Sequence, residues 1–205
     1  GYIVGGRSNS TISGDKIENC YGDWDYWIIK TDSTGNIQWQ NTIGGSSFDN
    51  LSSIKQTVDG GYILGGWSSS SISGNKTENC LGLVDNWVVK IDFSGNILWQ
   101  NTIGGSSDDY LNTINLTANG DYILGGYSNS NKSENKDENS LGSSDYWIVK
   151  LNDKYNLIKG KLFVDFNSNG IQDNGEPQLP AQKITESSTG RFAFSERNGN
   201  YSVNV

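Results

Sequence analysis

The sequence predicts an all-β protein: a partial β-propeller of about three four-stranded antiparallel blades, followed by a small β-sandwich module short enough to be truncated. Three observations lead there. Residues 1–157 repeat without a gap at a period of 60, and periods of this size mark solenoids, propellers or arrays. Each repeat alternates short aromatic and β-branched runs with Gly- and Asn-containing turns, which is strand and hairpin chemistry. No apolar period of 3.6 appears, which disfavours a helical solenoid.

The repeat is read directly from the residues. Gly1-Tyr2-Ile3-Val4-Gly5-Gly6 returns as Gly61–Gly66 and, with Asp first, as Asp121–Gly126. Asp25-Tyr26-Trp27-Ile28-Ile29-Lys30 returns as Asp85–Lys90 and Asp145–Lys150. Gly35–Gly45 returns as Gly95–Gly105 with a single change, Gln38 to Leu98.

One complete unit yields four strands. Strand a is expected near Leu51–Thr57, and a turn at Asp59-Gly60-Gly61 leads to strand b, Tyr62–Trp67. Asn119-Gly120, a strong hairpin signal, makes that turn in the third repeat. Strand c is Asn86–Ile91, and Phe93-Ser94-Gly95-Asn96 turns into strand d, Ile97–Ile103. Strand c is apolar on both faces, with Trp87 and Val89 on one and Val88 on the other, so it should lie between packed sheets.

The first repeat lacks strand a. In the third, Lys159 stands where strand d has Trp39 and Trp99. The third repeat is thus expected to be the last blade, its fourth strand merging into residues 158–205. Closed propellers use ~4–8 blades, so further repeats of the same polypeptide are expected upstream.

Composition narrows the chemistry. Histidine is absent, which removes the commonest general base and transition-metal ligand. Net charge is −8 without a basic patch, so nucleic acid is not an expected partner. No run of ~20 apolar residues is present to insert into a membrane as a helix.

The string Asp59-Gly60-Gly61-Tyr62-Ile63-Leu64-Gly65-Gly66, followed by Asp-x-Trp-x-x-Lys, Gly-Asn-Ile-x-Trp-Gln and Ile-Gly-Gly-Ser, resembles β-propeller repeats of large secreted Bacteroidetes proteins. Those proteins often end in a type IX secretion sorting domain. The resemblance covers residues 1–157 and implies an extracellular or cell-surface location. It implies no particular activity.

The loops between strands b and c have equal length in all three repeats. Lys16, Glu18, Asn19, Gly22 and Asp25 recur as Lys76, Glu78, Asn79, Gly82 and Asp85, and again as Lys136, Glu138, Asn139, Gly142 and Asp145. Long loops on a rigid scaffold are where binding usually resides, so this face is expected to meet a glycan or a protein. The same residues also suit local turns, with Asp opening strand c. Cys20 and Cys80 are equivalent positions, and whether they pair is left open. Asp25, Asp85 and Asp145 are the carboxylates to weigh for catalysis, but they recur in every blade, whereas an active site is normally asymmetric. No catalytic residue is expected.

The sharpest chemical signal is Asp165–Glu176. Oxygen-bearing side chains fall at positions 1, 3, 5, 9 and 12, with Gly170 at position 6. This is the spacing of an EF-hand-type Ca²⁺ loop. Neither flank reads as a helix; Lys161–Val164 reads as a strand.

Together with Gly199-Asn200-Tyr201-Ser202-Val203, the stretch Gly160–Glu176 resembles the SdrD B-like, Cna B-related surface modules. These are small β-sandwiches that often bind Ca²⁺ at this loop. The implied ligands are Asp165, Asn167, Asn169, the Ile171 carbonyl, Asp173 and Glu176. Asn at two positions lowers the ligand charge, and extracellular modules bind Ca²⁺ at ~10⁻⁴–10⁻³ M. In a module this short, bound metal would supply folding energy rather than chemistry.

These readings converge on a non-catalytic surface or adhesion protein, with a propeller platform and a calcium-stiffened spacer. A carboxylate-dependent propeller glycosidase or lyase and a purely architectural repeat region are the alternatives.

Overall fold

A computed structural model describes residues 1–118, 120–152, 157–185 and 192–204. Asn119, half of the expected Asn-Gly turn, lies outside the described residues. The chain divides into two units, Gly1–Asn152 and Asp153–Val205. Every element among the described residues is a strand, and every strand ladder is antiparallel.

Three sheets build the first unit. β1 (Tyr2–Ser8), β2 (Asp25–Thr31) and β3 (Ile37–Ile43) form the first. β4 (Asp49–Gln56), β5 (Tyr62–Ser68), β6 (Asp85–Ile91) and β7 (Ile97–Ile103) form the second, in chain order. β8 (Asp109–Leu116), β9 (Tyr122–Ser128) and β10 (Asp145–Leu151) form the third. The sequence-derived strands a to d thus coincide with β4 to β7 to within a residue or two.

Four strands per sheet is corrected for the outer two, each of which has three among the described residues. The first sheet has b, c and d, as the missing strand a requires. The third has a, b and c. The next strand, β11 (Leu157–Lys161), pairs with β14 (Asn200–Asn204) in the second unit and not with β10. The apolar pattern of strand d has gone from this segment, so nothing favours its return to the third sheet.

Turn chemistry fixes the hairpins. Asp92 Oδ1 accepts from the backbone N–H groups of Ser94 and Asn96, and its Oδ2 accepts from the Asn96 side chain. Asp32 does the same with Thr34 and Asn36. Such Asx turns hold the chain in the bend between c and d.

The core lies between the sheets, not within any one of them. Tyr26, Ile28 and Ile43 of the first sheet pack on Leu51, Leu64, Trp87 and Val89 of the second. Ile63, Val88 and Ile103 of the second pack on Leu111, Ile114, Tyr122 and Leu124 of the third. Successive residues of β6 face opposite ways, so Trp87 and Val89 serve one interface and Val88 the other. All three are fully buried.

The second unit contains two two-stranded ladders, β11 with β14 and β12 (Lys183–Thr185) with β13 (Phe192–Phe194). Leu162 N–H donates to Gly199, Val164 N–H to Pro177 and Leu179 N–H to Leu162. These bonds hold together the two ends of the loop 165–176.

Candidate functional sites

The recurring residues of the b–c loops are engaged in structure. Lys16 is buried and donates to the Glu18 carbonyl (2.6 Å) and the Thr42 hydroxyl (2.7 Å). Lys76 makes the same pair of bonds, to Glu78 and Thr102, below the face of Trp87 at 5.4 Å. The Glu18 and Glu78 carboxylates accept from the N–H groups of Thr42 and Thr102. Asn19, Asn79 and Asn139 each accept from the backbone seven residues earlier. Asp25, Asp85 and Asp145 open strand c and accept N–H bonds from their own loops. Asn and Asp realise the turn-forming role, whereas the Glu18 and Glu78 carboxylates and the Lys16 and Lys76 ammonium groups tie their loops to strand d.

Cys20 and Cys80 are free thiols. Each Sγ lies on the carbonyls at either side of its own loop's start: Ser8 and Ser10 for Cys20, Ser68 and Ser70 for Cys80. Burial pushes the Cys80 thiol up to about 11, which makes it a poor nucleophile.

The same end of the sheets holds residues that sequence reasoning missed. Asp49 and Asp109 open strand a and are fully buried, close to Asp25 and Asp85 of the preceding sheets. Between each pair runs a Gly-Gly turn. A Cβ on Gly104 would collide with the Asp85 carboxylate and also reach Asp109, so only glycine fits. Asp49 Oδ2 accepts from Gly45 N–H (2.7 Å) and the Ser70 hydroxyl (3.0 Å). Asp109 repeats this with Gly105 and Ser130. The Oδ1 atoms of Asp25, Asp49, Asp85 and Asp109 have no hydrogen-bond partner among the described residues. Burial raises the pKa of Asp25, Asp49 and Asp85 above the ordinary value, against hydrogen bonds that lower it. The signal was the repeated string Gly44-Gly45-Ser46-Ser47-x-Asp49 and Gly104-Gly105-Ser106-Ser107-x-Asp109.

Serines complete the junction. Ser46 N–H donates to Ser73 and Ser47 N–H to Ser70, so the loop of one sheet is stitched to the connection leaving the previous one. The next junction repeats the bonds with Ser133 and Ser130. The Ser- and Gly-rich composition therefore serves inter-sheet hydrogen bonding.

The opposite end carries a shallow cleft of about 430 Å³ between the first two sheets, lined by Lys30, Gln38, Trp39, Gln56, Tyr62 and Phe93. Trp39 is held edge-on to Tyr62 at 6.2 Å, and its indole N–H donates to the Phe93 carbonyl. Phe93 is exposed. Aromatic faces beside amide and ammonium groups can take a polar ligand with an apolar side.

In the second unit, all six residues expected to ligate calcium lie on one closed loop. Asp165 accepts from the N–H groups of Gly170 (2.8 Å) and Asn169 (3.3 Å), and these bonds hold its carboxyl below the usual range. Gly170 takes φ +76°, in the region glycine favours. The side-chain amides of Asn167 and Asn169 both donate to Asp173 Oδ2, at 2.7 and 2.8 Å. Glu176 is buried and accepts from Phe166 and Asp173 N–H.

Positions 3, 5 and 9 therefore converge. The oxygen-rich donor set fits a hard cation once the two Asn amides present oxygen inward. Among the described residues, no three His, Cys, Asp or Glu side chains are grouped to hold a metal. Two of the converging donors are neutral Asn, outside that count. Ile171 is exposed and its N–H donates to Asn169.

No family model matches the chain, and no curated protein matches it in sequence.

Proposed function

We propose that this chain is a non-catalytic part of an extracellular surface protein, in which successive propeller blades form a binding platform and the second unit is a calcium-stiffened spacer. One observation carries the non-catalytic reading. The candidate carboxylates Asp25, Asp85 and Asp145 sit at equivalent positions, each accepting backbone N–H bonds from its own loop. Catalysis needs a group aimed at a substrate and distinct from its neighbours. The b–c loop face, expected to meet ligand, spends its recurring side chains on internal bonds, so the platform reading moves to the cleft at Trp39, Tyr62 and Phe93. Its chemistry suits a glycan: the half-buried Trp39 and the exposed Phe93 for the sugar ring, over a buried Tyr62, and Gln38, Gln56 and Lys30 for its hydroxyls.

The propeller, the Bacteroidetes-type secretion and the SdrD B-like module belong to the same proposal and rest on the sequence resemblances. Further repeats of the same polypeptide would complete the ring. The test is a glycan array probed with the 205-residue chain. Binding that Trp39→Ala abolishes, with no hydrolysis of the bound glycan, is the expected result. Hydrolysis lost in Asp25→Asn, Asp85→Asn or Asp145→Asn would establish the glycosidase alternative instead.

A further inference from the structure

The two junctions between sheets repeat one aromatic arrangement and differ in what flanks it. Trp39 of β3 meets Tyr62 of β5 at 6.2 Å, and Trp99 of β7 meets Tyr122 of β9 at 6.0 Å. In each case an indole of one sheet lies beside a buried tyrosine of the next. Gln38 and Gln56 line the cleft at the first junction, one from each sheet, and both are exposed. Their equivalents at the second junction are Leu98 and Leu116, both half-buried. Leu116 packs with Trp99 against the core of that junction, and the Trp99 indole nitrogen is shut away from solvent. In sequence, Asp153 stands where Phe93 stands one repeat earlier; it lies outside the described residues.

Gly35–Gly45 is copied as Gly95–Gly105 with the exchange of Gln38 for Leu98 alone. That one change falls on a cleft-lining position, and the cleft-lining residue from the neighbouring sheet, Gln56, changes in the same sense. Leu at both places is compatible with two sheets packing, because the second junction is built that way. Packing therefore does not require the glutamines of the first junction. Each primary amide offers two donors and an acceptor, and the indole beside them offers an apolar face. We infer that Gln38 and Gln56 decide what the Trp39 cleft takes: they select a neutral saccharide unit by its hydroxyls, at the first junction and not at the second. This rests on the glycan reading of the cleft. Lys30, the single charged residue lining it, already has its ammonium on the Thr31 carbonyl at 3.0 Å. The net charge of −8 also repels an acidic sugar at long range. Where Leu98 and Leu116 replace the amides, a sugar entering the second junction would lose its hydrogen bonds to water and gain none in return.

Nuclear magnetic resonance on the isotope-labelled 205-residue chain reads both junctions at once, through the indole N–H signals of Trp39 and Trp99. Trp39→Phe and Trp99→Phe assign the two signals. The probes are the methyl glycosides of glucose, galactose and mannose, with glucuronic acid and sialic acid as the acidic set. A neutral glycoside should shift the Trp39 signal and leave that of Trp99 in place. Gln38→Leu with Gln56→Leu should weaken that binding about tenfold or more, as the loss of two hydrogen-bonding groups requires. The double variant carries the side chains of the second junction, and unchanged signals from the other tryptophans report that it is folded. Should it fail to fold, the single variants serve, each weakening binding about fivefold. A variant that binds as tightly as the parent, or a Trp99 signal that shifts as far as that of Trp39, overturns the role of the glutamines and leaves the glycan reading standing. Tighter binding of the acidic sugars overturns the neutral class. Silence of both indoles towards every sugar overturns the inference, and a blank glycan array beside it overturns the glycan reading as well.

Discussion

The hydroxyl of Tyr26 donates to the carbonyl of Trp87, one repeat away, with the two rings 4.9 Å apart. Neither residue meets water. One contact therefore joins burial, ring packing and a hydrogen bond across the first junction. Tyr26→Phe removes the hydrogen bond alone and should cost about 1 kcal/mol. Tyr26→Ala also empties the junction and should cost ~3–5 kcal/mol. Urea unfolding followed by tryptophan fluorescence measures both; equal losses would contradict a packing-dominated junction.

Lys90 and Asp59 form an ion pair at 2.8 Å in which the lysine is fully buried. Burial opposes ionisation of Asp59, but the Lys90 ammonium, the Thr57 hydroxyl and the Gly61 N–H outweigh it and hold its pKa below the ordinary value. One repeat on, Lys150 pairs instead with Asp121, which stands where the second repeat has Gly61, at 2.9 Å and with its lysine half exposed. Breaking a buried pair strands a charge and should cost ~3–5 kcal/mol in Asp59→Ala. Asp121→Ala should cost ~0–1 kcal/mol, as exposed pairs do. Thermal unfolding of the two variants side by side checks the contrast.

These paired comparisons show what the sequence made legible. Strands β4 to β7 were readable because Trp87, Val88 and Val89 alternate between two buried faces, and because Gly and Asn mark each turn. The roles of Asn19 and Asp25 were readable as turn chemistry; that of Glu18 was not, because its carboxylate binds Thr42 N–H on β3, 24 residues away. Asp49 and Asp109 were not, since an isolated Asp after a Gly-Gly-Ser-Ser string looks like a solvated loop. Only the close approach of the Gly44-Gly45 backbone to a carboxylate from the neighbouring sheet reveals them, and that depends on how sheets stack. The pairing of β11 with β14 was hidden for the same reason: strand partners far apart in sequence leave no local pattern.

The loop around Asp165 and Glu176 should respond to calcium. At ~100 times the dissociation constant, binding to the folded form alone adds about 2.7 kcal/mol. Ca²⁺ should therefore raise the unfolding midpoint of the second unit, and Tb³⁺ should show sensitised emission that Ca²⁺ displaces. Asp165→Asn with Glu176→Gln should abolish both effects and leave the tryptophan-reported unfolding of the first unit unchanged. A midpoint insensitive to millimolar Ca²⁺ would leave the loop a self-bonded polar turn.

The buried aspartates predict the response of the first unit to pH. Burial holds Asp25, Asp49 and Asp85 above the ordinary carboxylate value of 3.8. A raised folded pKa means that the folded state takes up protons first. Their contribution is fully present below 3.8 and is lost as pH rises through the raised values. Asp59 works in the opposite sense: its stabilisation is present above 3.8 and is lost as pH falls below. The unfolding midpoint should thus rise as pH falls through the raised values towards 3.8 and fall again below 3.8. In Asp49 and Asp85 one oxygen, Oδ2, takes the hydrogen bonds and Oδ1 takes none. Asn can keep the bonded oxygen and cannot ionise. Asp49→Asn with Asp85→Asn should therefore flatten the rise above 3.8 while the acid fall set by Asp59 remains. An unchanged slope in the double variant would assign the pH dependence to other groups and show that these carboxylates are charged in the fold without cost.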